Sequence, residues 1–149
     1  MSNVLIGIIG VILFIGLALA GALFLGPRFQ ESTNNSKAAA QIQAMSQIAQ
    51  AANMYVVQEG RRTDDIGLLV SSKYLKSAPA SVTGPAGFII YDSGSERFVL
   101  IGSQPKAVCA AFNKQTSGSS GEASTDFDTT KSATCYGSGE NDYFMALKI

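Results

Sequence analysis

The chain has 149 residues, a formal net charge of +0 and no histidine. A balanced charge creates no global field to draw in nucleic acid, and without histidine no side chain has an unperturbed pKa near neutrality, so direct nucleic-acid binding and acid–base catalysis are both disfavoured. Once a long apolar segment is set aside, the remaining length suits one modest domain.

That segment comes first. Residues 4–26, VLIGIIGVILFIGLALAGALFLG, carry no charged group. As an α-helix rising about 1.5 Å per residue they reach roughly 35 Å, against a hydrocarbon core of about 30 Å. Gly7, Gly10, Gly16, Gly21 and Gly26, with Ala18, Ala20 and Ala22, interrupt the run, and each glycine gives up about 1 kcal/mol of helix propensity relative to alanine. Two readings stand side by side: small residues tolerated where membrane helices approach closely, or a helix that packs against copies of itself and can stretch. Met1, Ser2 and Asn3 precede the run without a basic residue, and the nearest cations, Arg28 and Lys37, follow it. The positive-inside rule would put those cations in the cytoplasm. The cysteines discussed below argue for the opposite side, and the conflict resolves if a basic leader was cleaved ahead of Met1.

Pro27 lacks an N–H and clashes with the preceding turn, so the sequence predicts a kink or a restart there. Residues 28–59 are rich in Ala and Gln, with Ile42, Met45, Ile48, Ala49, Ala52, Tyr55 and Val56 recurring at spacings of three and four, the mark of an amphipathic helix. Gly60, Arg61 and Arg62 provide a C-terminal stop. Thr63, Asp64 and Asp65 offer N-caps to a short helix, IGLLVSSKYLKS, with Ile66, Leu69, Val70, Tyr74 and Leu75 at helical spacing and Pro79 as its end.

A turn at Gly84 and Pro85 leads to an antiparallel hairpin, with strands at 88–91 and 97–101 around a turn at 92–96. Residues 106–112 form a short helix carrying Cys109. Residues 116–130 read as a polar, solvated loop, and YFMALKI at 143–149 reads as a strand that joins the sheet. Cys109 and Cys135 suggest one disulfide in an oxidising compartment, because the flanking TSGSSGEAST is too polar to bury free thiols; two unrelated buried thiols are the alternative. The expected fold is α+β: a long N-terminal helix, apolar then amphipathic, packed on a small antiparallel sheet head with a disulfide-bounded C-terminal loop. Its expected divisions are 1–27, 28–60 and 61–149.

No chemistry emerges from the motifs. The chain lacks a metal-ligand cluster and a GxSxG elbow, and the stretch from Gly84 to Gly87 has no lysine to cradle phosphate. Asp64 and Asp65 are better read as caps. No catalytic residue, cofactor or metal is expected. Asn34-Asn35-Ser36 matches a glycosylation sequon but sits in the predicted helix.

The order of features is what identifies a relative. An uncharged N-terminal helix, a proline near its end, an Ala/Gln-rich continuation, the element holding Leu68, Leu69, Tyr74, Leu75 and Pro79, and a C-terminal cysteine pair resemble a type IV pilin, most nearly of the type IVb branch. The resemblance implies a subunit stored in the inner membrane, handled by a prepilin peptidase and a pilus assembly machinery, and polymerised with itself into an extracellular filament. It implies processing and N-methylation at Met1. Leu5, Ile6, Ile9, Val11, Ile12, Leu13 and Phe14 would pack in the filament core, with a local helix break at Gly21, Gly26 and Pro27. The chain departs from the pattern in one respect: such pilins usually carry a glutamate near the mature N-terminus, whereas here Leu5 stands in that neighbourhood and no acid precedes Glu31. Alternatives within the architecture are a minor pilin or a type II secretion pseudopilin, and outside it a membrane-anchored extracytoplasmic binding domain.

Overall fold

A computed structural model describes residues 2–83, 87–118 and 121–149. The expected turn at Gly84 and Pro85 lies outside them, as does Met1. The first helix, α1, spans Ser2–Glu59. The chain divides into two units, Met1–Thr33 and Asn34–Ile149.

In the first unit the helix neither stops nor restarts at Pro27, which lies inside it. The loss expected there is limited to one backbone donor, and proline's fixed φ near −65° is itself helical. The second unit opens with the rest of α1. Ala38, Gln41, Met45, Ile48, Ala52 and Tyr55 are buried along one face, while Ile42 and Ala49 pack against its margin. The helix ends where the sequence predicts. Gly60 takes a positive φ of 66° and its N–H bonds the Val56 carbonyl at 3.0 Å, closing the last turn in a conformation that costs glycine little.

The second helix, α2, covers Ile66–Ser71 and is capped by Asp65, whose Oδ1 accepts the Gly67 N–H at 2.7 Å. It is shorter than the pattern of Tyr74 and Leu75 implied, and Pro79 does not end it. Lys73 turns left-handed at φ 65°, and the Tyr74 and Leu75 N–H groups both reach back to the Leu69 carbonyl at 3.0 Å. Leu75 therefore enters the core from beyond the helix.

Four antiparallel strands follow, β1 (Phe88–Asp92), β2 (Arg97–Gln104), β3 (Ala133–Gly137) and β4 (Tyr143–Lys148), in the spatial order β1-β2-β4-β3. Tyr91 pairs with Phe98, Leu100 with Ala146, and Cys135 with Met145. The hairpin and the final strand match expectation. β2 runs on past the expected Ile101, with its register shifting between Ile101 and Gln104. β3 was not anticipated, because five residues containing Gly, Thr and Cys carry no clear alternation of apolar and polar types.

Between β2 and β3 lies α3, Lys106–Ser117, longer than the expected 106–112 and closed by Gly118 at φ 63°. It takes in Thr116 and Ser117, assigned above to the loop. The main core gathers α1, Leu69 of α2, Val108 and Phe112 of α3, and Phe88, Ile90, Val99, Ile101 and Met145 from one face of the sheet. The other face holds Phe98, Leu100 and Ala146 under Phe127 and Tyr136. Phe127 thus comes from the stretch read as a solvated loop and helps to cover a second, smaller core.

Candidate assembly surface

The first unit shows what an apolar helix without a covering looks like. Leu5, Ile6, Ile9, Val11, Ile12, Leu13 and Phe14 are all exposed, from 53% at Ile9 to 73% at Phe14. Ile8, Ile15, Leu17, Leu19, Leu23 and Phe24 are exposed as well, so the apolar surface encircles the helix. Beyond its chain neighbours and the local helix backbone, a Cβ placed on Gly7, Gly10, Gly16, Gly21 or Gly26 would meet no atom within 4 Å. Nothing in the described part of the chain therefore demands glycine at these positions. The helix is long and apolar enough to cross a membrane. Apolar surface on this scale marks contact with lipid or with other protein.

In the second unit the cysteines are joined. Cys109 of α3 and Cys135 of β3 form a disulfide across 5.8 Å between Cα atoms. Contrary to the expectation that the polar flanks leave nothing to bury them, both cysteines are fully buried in the main core. Strand alternation explains this: in β3, Ala133 and Cys135 point to the core, and the bond ties α3 to the sheet edge.

Charge is also brought inside. Arg97, only 8% exposed, donates from Nη2 to the Thr63 carbonyl at 2.5 Å, and its Nε lies 3.8 Å from Asp92. Arg62 approaches the same carboxylate at 3.6 Å from solvent. Arg97 thereby fastens the segment after α1 to the β1–β2 hairpin. Deeper in the head, Gln41 donates to the hydroxyls of Ser81 and Thr83, each at 3.1 Å, and Thr83 bonds the buried Gln104. These bonds anchor the irregular chain around residue 82 to both α1 and β2. On the outer face of the sheet, burial and then the neighbouring Tyr91 push the Tyr136 phenol up from its ordinary pKa. The half-buried Asp128 carboxyl is held below the usual range, chiefly by the Thr130 hydroxyl and then by the Thr130 N–H.

The structure thus joins the predicted cysteine pair, leaves the seven apolar positions exposed, and keeps Gly21, Gly26 and Pro27 within a helix. Arg97, Gln41 and Gln104 had no signal in the sequence. A lone arginine at a strand start and scattered glutamines read as surface residues until tertiary contacts bury them.

No protein-family model matches the chain, and no curated protein sequence matches it. Among solved structures it is similar to that of the major Type IV pilin PilA1 from Clostridium difficile, with a TM-score of 0.53 and 12% identity over 79% of this chain and 97% of the other. The fold is that of a type IV pilin: a long N-terminal helix, a small four-stranded antiparallel sheet and a C-terminal disulfide.

Proposed function

We propose that this chain is a pilin, a structural subunit that polymerises through its apolar helix into a type IV pilus. The observation that carries the reading is the contrast between the two units. Residues 34–149 contain a disulfide-tied core, while the helix before them is apolar on all sides and exposed. Before assembly, lipid would cover that surface; in a filament, the helices of neighbouring subunits would. A soluble monomer would leave it in water, at a cost of about 25 cal/mol for each Å².

In this reading Leu5, Ile6, Ile9, Val11, Ile12, Leu13 and Phe14 belong to the filament core, and the subunit moves from the inner membrane to the cell surface. Prepilin peptidase and the assembly machinery are its transient partners, and copies of itself its permanent ones. The likeness to a major pilin favours a filament-forming subunit over a membrane-anchored binding domain. The test is to shear cells that express the chain, pellet the sheared material and image it by cryo-electron microscopy. Filaments built from this subunit, with the apolar helices at the centre, are expected. Recovery of the chain only from the membrane fraction of piliated cells would assign it to another role.

A further inference from the structure

A cavity of about 150 Å³ lies where the chain leaving α1 meets the β1–β2 hairpin, lined by Arg62, Thr63, Asp64, Ile90, Asp92 and Arg97. Its place follows from strand register. Asp92 and Arg97 are cross-strand partners at the turn end of the hairpin, and Arg97 reaches over to hold the Thr63 carbonyl. The segment that follows α1 is thereby drawn alongside the strand ends. The Asp65 N–H bonds the Thr63 hydroxyl at 3.1 Å, which fixes the backbone on either side of Asp64.

An unmet donor and an unmet acceptor line this cavity. Arg97 is only 8% exposed, yet among the described residues its Nε makes no hydrogen bond. Asp92 Oδ1 accepts the Gly94 N–H at 2.9 Å, whereas Asp92 Oδ2 stands 3.8 Å from Arg97 Nε and 3.6 Å from Arg62 Nη1. Both separations exceed hydrogen-bond reach. A buried guanidinium nitrogen without a partner is costly, and such groups in native proteins are nearly always satisfied.

The lining selects the partner. Two guanidinium groups and two carboxylates cancel, so phosphate meets the repulsion of Asp64 and Asp92, and a metal cation that of Arg62 and Arg97. A molecule carrying both signs a few ångströms apart gains from both pairs. Its carboxylate accepts from Arg97 Nε and Arg62, and its ammonium donates to Asp64 and to Asp92 Oδ2, all charge-assisted bonds. Size narrows the class further. At roughly 30 Å³ for each water the cavity equals about five waters, which admits an occupant of about five or six non-hydrogen atoms. Ile90, apolar and 6% exposed, offers a methyl-sized neighbour rather than a further polar partner.

We propose that this cavity binds a zwitterionic α-amino acid of the size of glycine or alanine, with the buried Arg97 Nε as the donor to its carboxylate. The site lies within residues 62–97 and does not depend on whether the apolar helix polymerises. The experiment uses the full isotope-labelled chain in micelles of a non-ionic detergent and follows the Arg97 Nε–H resonance by NMR. Glycine and alanine are titrated beside sodium acetate and methylammonium chloride, which carry the two charges separately. A saturable shift of that resonance is expected with glycine or alanine, at a dissociation constant of about 1 mM, within reach of a ligand this small. Acetate and methylammonium should each bind about tenfold more weakly or worse. Asp64→Asn and Arg62→Met alter exposed side chains and keep the fold, and each should weaken amino-acid binding by about tenfold. An Arg97 resonance that none of the four probes moves overturns the proposal. Equal binding of acetate or methylammonium does so too, as does full affinity in both folded variants.

Discussion

At the scale of single residues, Arg97 is buried and its guanidinium bonds the Thr63 carbonyl. Removing the Arg97 guanidinium leaves the Thr63 carbonyl without its donor in a site where Thr63 is itself only 8% exposed. Arg97→Met, which keeps much of the stem, is expected to cost about 2–4 kcal/mol. Arg62 touches the same Asp92, but its side chain is 56% exposed, and Arg62→Met should cost no more than about 1 kcal/mol. Denaturant unfolding of the full chain in micelles measures both. Equal costs would show that the guanidinium of Arg97 is not the clamp between the post-helix segment and the hairpin.

At the scale of elements, α3 and β3 are joined by a bond closing a separation of 26 residues. A loop of this size corresponds to about 3 kcal/mol in the chain-entropy view. Cys135→Ser should lose that amount and more, because a hydroxyl then occupies a fully buried position. Reduction of the unmodified chain separates the two contributions: its fall in melting temperature should be smaller than that of the variant.

For the long helix the proposed function carries a separate expectation. α1 is helical through Gly16, Gly21, Gly26 and Pro27, as a hydrocarbon medium requires of any spanning segment. In a filament that requirement relaxes. This stretch already lacks one donor and includes residues that favour leaving helix geometry by about 1 kcal/mol each. The backbone between residues 16 and 27 is expected to be locally extended in the assembled fibre. A filament reconstruction with unbroken helix from residue 4 to 29 would refute this.

At the scale of the whole molecule, if the chain polymerises as proposed, the absence of an acid before Glu31 would leave apolar packing to hold subunits together. Against water, each buried side chain among Leu5, Ile6, Ile9 and Phe14 contributes about 1–2 kcal/mol. Against lipid the same burial is nearly neutral, so on the proposed reading extraction from a membrane would need external work. Purified filaments should therefore remain pelletable in about 1 M salt, where ionic contacts are screened, and dissolve in mild detergent. The reverse result would assign cohesion to ionic contacts between heads.

Elements whose signals are local were legible in the order of the amino acids. An uncharged apolar run, a stripe of Met45, Ile48, Ala52 and Tyr55 at helical spacing, Gly60 as a stop and a hairpin around residue 94 all follow from periodicity and turn chemistry within a few residues. The cysteine pair was also legible, although the reason offered for it was not the physical one. The rest follows from contacts between distant parts of the chain. β3 exists because β4 supplies a neighbour for five residues with weak strand character, and Phe127 is drawn from a polar stretch because the far side of the sheet needs a cover. Arg97, Gln41 and Gln104 are buried because partners distant in sequence satisfy them. Pairing and burial of this kind depend on groups tens of residues apart, and no local pattern encodes their meeting.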